Sequence, residues 1–95
     1  MSGMRHVLDG TALHDKGSAL DAIAAALSFP DYFGRNLDAL RDCLTDLSWL
    51  PAGEHVLVWR HPEVLRGGDP TAYERIVAVL NQSASENAEF SYQLS

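Results

Sequence analysis

Asp38, Asp42 and Asp46 lie four residues apart. On an α-helix that spacing stacks them in one row on one face. A carboxylate row can satisfy Arg, Lys or protonated His groups of a partner through charge-assisted hydrogen bonds. It does little for its own helix. Like charges at this spacing cost roughly a few tenths of a kcal/mol per pair, and only Asp38, in the first turn, gains from the helix dipole, which opposes Asp46. An exposed helix face is often charged simply to stay solvated, so the row takes its meaning from what precedes it. Tyr32, Phe33 and Gly34 stand immediately ahead. An aromatic next to carboxylates on a short loop is the composition of a protein-binding surface. Phe33 reads as a core plug, and Tyr32 suits either a plug or an exposed anchor.

Other reactive side chains point to no chemistry. Cys43 flanks the apolar side of the same helix, where a lone cysteine is a small buried hydrophobe. A nucleophilic thiol needs a nearby base and partial exposure. His6, His14, His55 and His61 share no metal-ligand spacing. Carboxylates on successive helical turns seldom converge on one ion without a loop. Gly67-Gly68 is too little for a phosphate loop and reads as a flexible turn. The expectation is a protein without catalytic residues, metal or cofactor.

Thirteen acidic residues against seven basic ones give a net charge of -6 over 95 residues. Such a field repels nucleic acid and attracts basic proteins. Apolar residues at 46% and charged residues at 21% are globular proportions. A single cysteine excludes an internal disulfide. The start, Met1-Ser2-Gly3-Met4-Arg5-His6, lacks the apolar core of a signal peptide, and no run has the length of a membrane span. A soluble, cytoplasmic, monomeric protein of one domain, residues 1–95, is expected.

The elements that must position the row follow from periodicity and caps. Arg5 to Leu8 reads as a strand closed by the Asp9-Gly10 turn. Ser18, with Asp21 three residues on, reads as the cap of a helix carrying Leu20, Ile23, Ala24 and Leu27, and Phe29-Pro30 as its end. Asn36 caps the second helix. Its Leu37, Leu40, Leu44 and Leu47 face the core, and it should end near Leu47 or Ser48. Glu54 to Arg60 contains Val56-Leu57-Val58-Trp59, which reads as a central strand buried on both faces. Asp69-Pro70 opens the last helix, with Tyr73, Ile76, Val77, Leu80 and Ala84 on its buried side and Asn87 near its end. Phe90, Tyr92 and Leu94 alternate as an edge strand. Strands separated by helices pair in parallel, giving a two-layer α/β domain.

The segment Phe29-Pro30-Asp31-Tyr32-Phe33-Gly34-Arg35-Asn36-Leu37-Asp38-Ala39-Leu40-Arg41-Asp42-Cys43-Leu44 closely resembles the signature of the barstar family, intracellular inhibitors of microbial guanyl-specific ribonucleases. The order of elements, Trp59 in the second strand and the terminal edge strand agree with it. The resemblance implies a three-stranded parallel sheet of order 1-2-3 with helices in the crossovers. It also implies a partner: a small basic secreted bacterial ribonuclease of the barnase type, blocked at its active site. Asp42 would occupy the place of a substrate phosphate, with Asp38 beside it and Tyr32 packed on the catalytic histidine of the enzyme. Gly34 and Asn36 would touch the partner through the loop. The candidate partner-binding set is Tyr32, Gly34, Asn36, Asp38, Arg41, Asp42, Thr45, Asp46 and Glu86.

The chain departs from the family pattern at several of these places. Arg41 replaces a tryptophan, Arg35 an acid, Gln82 another acid, and Leu47 an aromatic. The two arginines add positive charge to the surface, and an interfacial arginine requires a carboxylate or aromatic face opposite it. Arg41 could reach the partner or fold back onto Asp38. A different basic protein or toxin, bound without ribonuclease inhibition, is the alternative partner. An X-Pro bond at Leu50-Pro51 leaves both isomers open.

Overall fold

The computed structural model describes residues 4–95. Met1, Ser2 and Gly3, the start of the stretch read for a signal peptide, lie outside the described residues. The elements run β1 (Met4–Asp9), a 3-10 turn (Gly10–Ala12), α1 (Lys16–Ala26), α2 (Leu37–Asp46), β2 (His55–Arg60), α3 (Glu63–Gly68), α4 (Pro70–Glu86) and β3 (Phe90–Leu94). The sheet has the order β1-β2-β3, parallel at both junctions. Met4 pairs with His55, and His55 with Phe90.

One face of the sheet makes the core. Leu8, Leu57, Trp59 and Phe90 meet Leu20 and Ile23 of α1, Leu40 and Leu44 of α2, Leu65 of α3, and Ile76 and Leu80 of α4. The apolar run of β2 is not buried on two equivalent faces, as its composition suggests. Leu57 and Trp59 belong to the core cluster; Val56 is half-buried, and Val58 is buried outside that cluster. Val58 is the middle of a row, with Val7 and Gln93 beside it, so strand neighbours cover it. On β3, Phe90 is buried, Tyr92 half-buried and Leu94 exposed.

Several boundaries differ from expectation. Asp15, not Ser18, caps α1. Its carboxylate accepts from the Ser18 amide at 2.8 Å, while the Ser18 hydroxyl accepts from the Asp15 amide at 3.4 Å. Ser18 is thus the third helical residue of a reciprocal capping box. The helix also stops before Phe29-Pro30. The Ser28 amide donates to Ala25 O and the Phe29 amide to Ala24 O, with Ser28 left-handed at φ 54°. That is a Schellman termination in which serine holds a position suited to glycine. Gly67 and Gly68 close α3 rather than forming a loose turn. Leu65 is fully buried, and Gly68 lies against the His14 carbonyl, where a Cβ would sit 2.7 Å from the oxygen. Leu50-Pro51 is trans. No helix among the described residues is long and apolar enough to cross a membrane.

Candidate protein-binding surface

α2 is positioned at both ends. At its start the Asn36 side chain accepts from the Ala39 amide at 2.8 Å, and its NH2 group donates to Gly34 O at 3.4 Å. Asn36 is therefore spent on holding the loop and helix together. At its end Leu47 is left-handed (φ 51°) and buried, its amide donating to Cys43 O. Asn87, at the end of α4, donates to Leu44 O at 3.0 Å. Leu40 and Leu44 are fully buried and Leu37 half-buried, as the leucine periodicity requires. α2 packs chiefly against α4.

The loop before α2 rests on an aromatic cluster. Phe29 meets Phe33 edge-on at 4.9 Å and Trp49 edge-on at 5.7 Å between ring centroids. The Trp49 indole N–H donates to Leu27 O at 3.0 Å. Phe33 is the plug its surroundings suggest, half-buried against the core, while the next ring along points to solvent: Tyr32 is 73% exposed. The Phe33 amide donates to Pro30 O, closing the turn that separates the two.

The carboxylate row is open. Asp38, Asp42 and Asp46 are exposed, and among the described residues none pairs with a cation. The Asp46 carboxylate accepts only from the Ser48 hydroxyl, at 3.2 Å. Four helical residues advance about 6 Å, so the row is a ridge of charges at that repeat. The Thr45 hydroxyl donates back to Arg41 O (2.9 Å) and lies near Asp42 O (3.2 Å), so its polar group serves its own helix.

The two arginines do not leave free positive charge on this surface. Arg41 donates to Glu86 through Nε (3.2 Å) and Nη2 (2.7 Å), joining α2 to α4 rather than folding onto Asp38. Hydrogen bonding to Arg41 holds the Glu86 carboxyl below its ordinary range. Arg35, left-handed at φ 53°, donates to both oxygens of Asp21 at 2.7 and 3.1 Å. The bidentate pair ties this left-handed residue to α1. The acid each arginine needs is thus supplied from within the chain.

Cys43 and His55 are held within the fold. Cys43 is 5% exposed, and burial, with Asp42 and Asp46 nearby, pushes its thiol up and disfavours the thiolate. His55 is 2% exposed at the start of β2. Its Nε2 lies 2.9 Å from Pro51 O and its Nδ1 2.9 Å from His6 Nε2. A carbonyl only accepts, so Nε2 of His55 donates to Pro51 O; with His55 neutral, its Nδ1 accepts from His6 Nε2. Burial, with His55 second, lowers the pKa of His6. His61 is exposed beside Glu63 at 3.3 Å. A cleft of about 350 Å³ between the end of α2 and the start of β2 is lined by Asp46, Pro51, His55, Asn87 and Glu89 among others. No group of three or more His, Cys, Asp or Glu among the described residues could hold a metal.

Local pattern assigns Asp21 to a capping box and Asn87 to a helix end and passes over Trp49; it gives none of the three the contact that braces this surface. Each acts on a residue 14, 22 or 43 positions away, beyond the reach of helical or strand periodicity.

Comparison with known proteins agrees with this architecture. The family model described as "Barstar (barnase inhibitor)" matches residues 4–95. A protein of Bacillus subtilis (strain 168) named "Putative ribonuclease inhibitor YrdF" is 47% identical over 45 residues, 47% of this chain. The match spans about half the length of that relative.

Proposed function

The chain belongs to the barstar family, and from that premise we propose that it is a proteinaceous inhibitor of a small basic ribonuclease of the barnase type. It acts as a monomer, as a single domain over residues 1–95, in the cytoplasm, and blocks the active site without chemistry or cofactor. A ribonuclease site gathers cations to hold phosphate. Asp42, flanked by Asp38 and Asp46, offers those cations a preorganised carboxylate by charge-assisted hydrogen bonding. Tyr32, standing clear of the aromatic cluster, supplies the apolar anchor. Gly34 and Asn36 set the loop, and Arg41, Thr45 and Glu86 border the contact.

The observation that carries this reading is the ridge of three carboxylates without cation partners among the described residues, beside a 73% exposed tyrosine on a braced loop. Opposite fields accelerate encounter, and salt weakens that steering. The test is RNA cleavage by barnase and a panel of small basic secreted ribonucleases, titrated with the protein. Activity of at least one should vanish at equimolar inhibitor, with an association rate that falls as salt rises. Full activity across the panel refutes the proposal and favours the other reading, a module for a different basic protein. That reading takes its support from Arg41, whose pairing with Glu86 takes one acid out of the candidate surface.

A further inference from the structure

The two flanks of the acidic ridge are alike in one respect. Toward α1, Arg35 is clamped to Asp21; toward α4, Arg41 is clamped to Glu86. Between these pairs stand Asp38, Asp42 and Asp46, which have no cation partner among the described residues. Between the two pairs the unpaired acids form one helical row; Asp31 and Glu89, exposed and without an ion pair among the described residues, lie outside α2. Glu86, though exposed enough to meet a partner at 38%, already has its counter-ion. The contact is a fork: Nε and Nη2 of one guanidinium meet the two oxygens of one carboxylate. Such bidentate geometry makes it a stronger and more directional pair than a single contact.

We propose that Arg41 is a specificity-determining residue that withdraws Glu86 from the binding surface, restricting the protein to partners whose cationic site is narrow and which offer a hydrogen-bond acceptor, not a cation, opposite α4. This rests on the functional reading above and sharpens it. A lysine or arginine of a partner approaching Glu86 meets the Arg41 charge first and must displace it. Like charges brought together at an interface are a strong filter against the wrong partner. Arg41 has five N–H donors and spends two on Glu86. The three that remain suit a backbone carbonyl or carboxylate on the partner. The Glu86 hydrogen bond first, and then the nearby Asp42 and Asp38 charges, favour the protonated form of Arg41, so it moderates the ridge from the α4 side.

The test uses barnase, a probe whose active site is built to hold phosphate, and measures association and dissociation rates by stopped flow. Arg41→Ala frees Glu86 and should raise the association rate about tenfold at low salt, within the range of electrostatic steering. Glu86→Gln keeps the shape but leaves Arg41 uncompensated and should slow association. In the double variant Arg41→Ala/Glu86→Gln, most of the gain should disappear, because no carboxylate remains to be released. Arg75→Ala, which removes one exposed positive charge from α4 away from this pair, controls for net charge and should give a smaller gain than Arg41→Ala. Thermal unfolding confirms that each variant is folded. If the wild type binds barnase and Arg41→Ala slows association or leaves it unchanged, this inference is wrong and the functional reading stands. Equal gains from Arg41→Ala and Arg75→Ala, or a double variant that keeps the full gain of Arg41→Ala, would also overturn it. If no variant binds barnase or any ribonuclease of the panel, the functional reading fails and takes this inference with it. Binding by Arg41→Ala but not by the wild type would support it most strongly.

Discussion

Asp42→Ala should move stability and affinity in opposite directions. In the free protein, Asp42 has Asp38 four residues before it and Asp46 four residues after, and no cation partner among the described residues. Two like-charge contacts at roughly 0.2–0.5 kcal/mol each vanish with its carboxylate. Alanine also favours an exposed helical position by about 0.5 kcal/mol over aspartate. The variant should therefore be more stable by about 0.9–1.5 kcal/mol, raising Tm by several degrees for a domain of this size. Binding to a ribonuclease should weaken by at least about 2 kcal/mol, roughly thirtyfold in Kd, because buried cations of the partner lose their counter-ion. Calorimetric unfolding and titration of the ribonuclease measure the two quantities on the same sample. A lower Tm would mean that Asp42 holds the fold. An unchanged Kd would remove it from the interface and leave the ridge as a solvated helix face.

Asn36→Ala removes the α2 cap and should cost about 1 kcal/mol in urea unfolding, whereas Asn36→Asp should cost little; equal losses would point to another role for Asn36. Ser28→Gly places glycine at the left-handed end of α1, and a gain of about 0.5 kcal/mol is expected, read as a higher Tm; a fall would mean the serine side chain contributes more than its backbone strain. His6 has a folded pKa below its ordinary value near 6.5. Its contribution is fully present above that pH and is lost as pH falls through the lowered folded value. Tm should therefore drop as pH is taken below about 6.5, and His6→Gln, which can still donate to His55, should flatten that drop. An equal slope in the variant would assign the effect elsewhere.

Periodicity and capping chemistry carried most of the fold. The leucine stripe fixed which side of α2 turns inward, and so which side the aspartates must occupy; Asp69-Pro70 and Asn36 marked two helix starts correctly. Local chemistry misled at Ser18, because Ser18 both opens a Ser-x-x-Asp pattern with Asp21 and closes an Asp-x-x-Ser pattern with Asp15, and the fold uses the second. α3 was missed because its two glycines disfavour a helix, while the burial of Leu65 that stabilises it is a tertiary matter. Arg41–Glu86, Arg35–Asp21 and His6–His55 join residues 45, 14 and 49 positions apart. A sequence states that an arginine on a surface needs an acid; only the packing of α2 on α4 decides that the acid is Glu86.

The parallel sheet has a consequence for how the chain reaches this state. Met4 pairs with His55, 51 residues on, and His55 pairs with Phe90, 35 residues on. No hairpin can nucleate either pairing, so each must wait for a long loop to close against its entropy. α2 lies inside the first loop and α4 inside the second, and the two helices pack on each other. The acidic ridge therefore gains its rigid setting only with long-range closure, and a chain caught before it carries the same charges without the geometry. Slow folding and late acquisition of binding competence should go together, with refolding amplitude and regained inhibition sharing one rate constant.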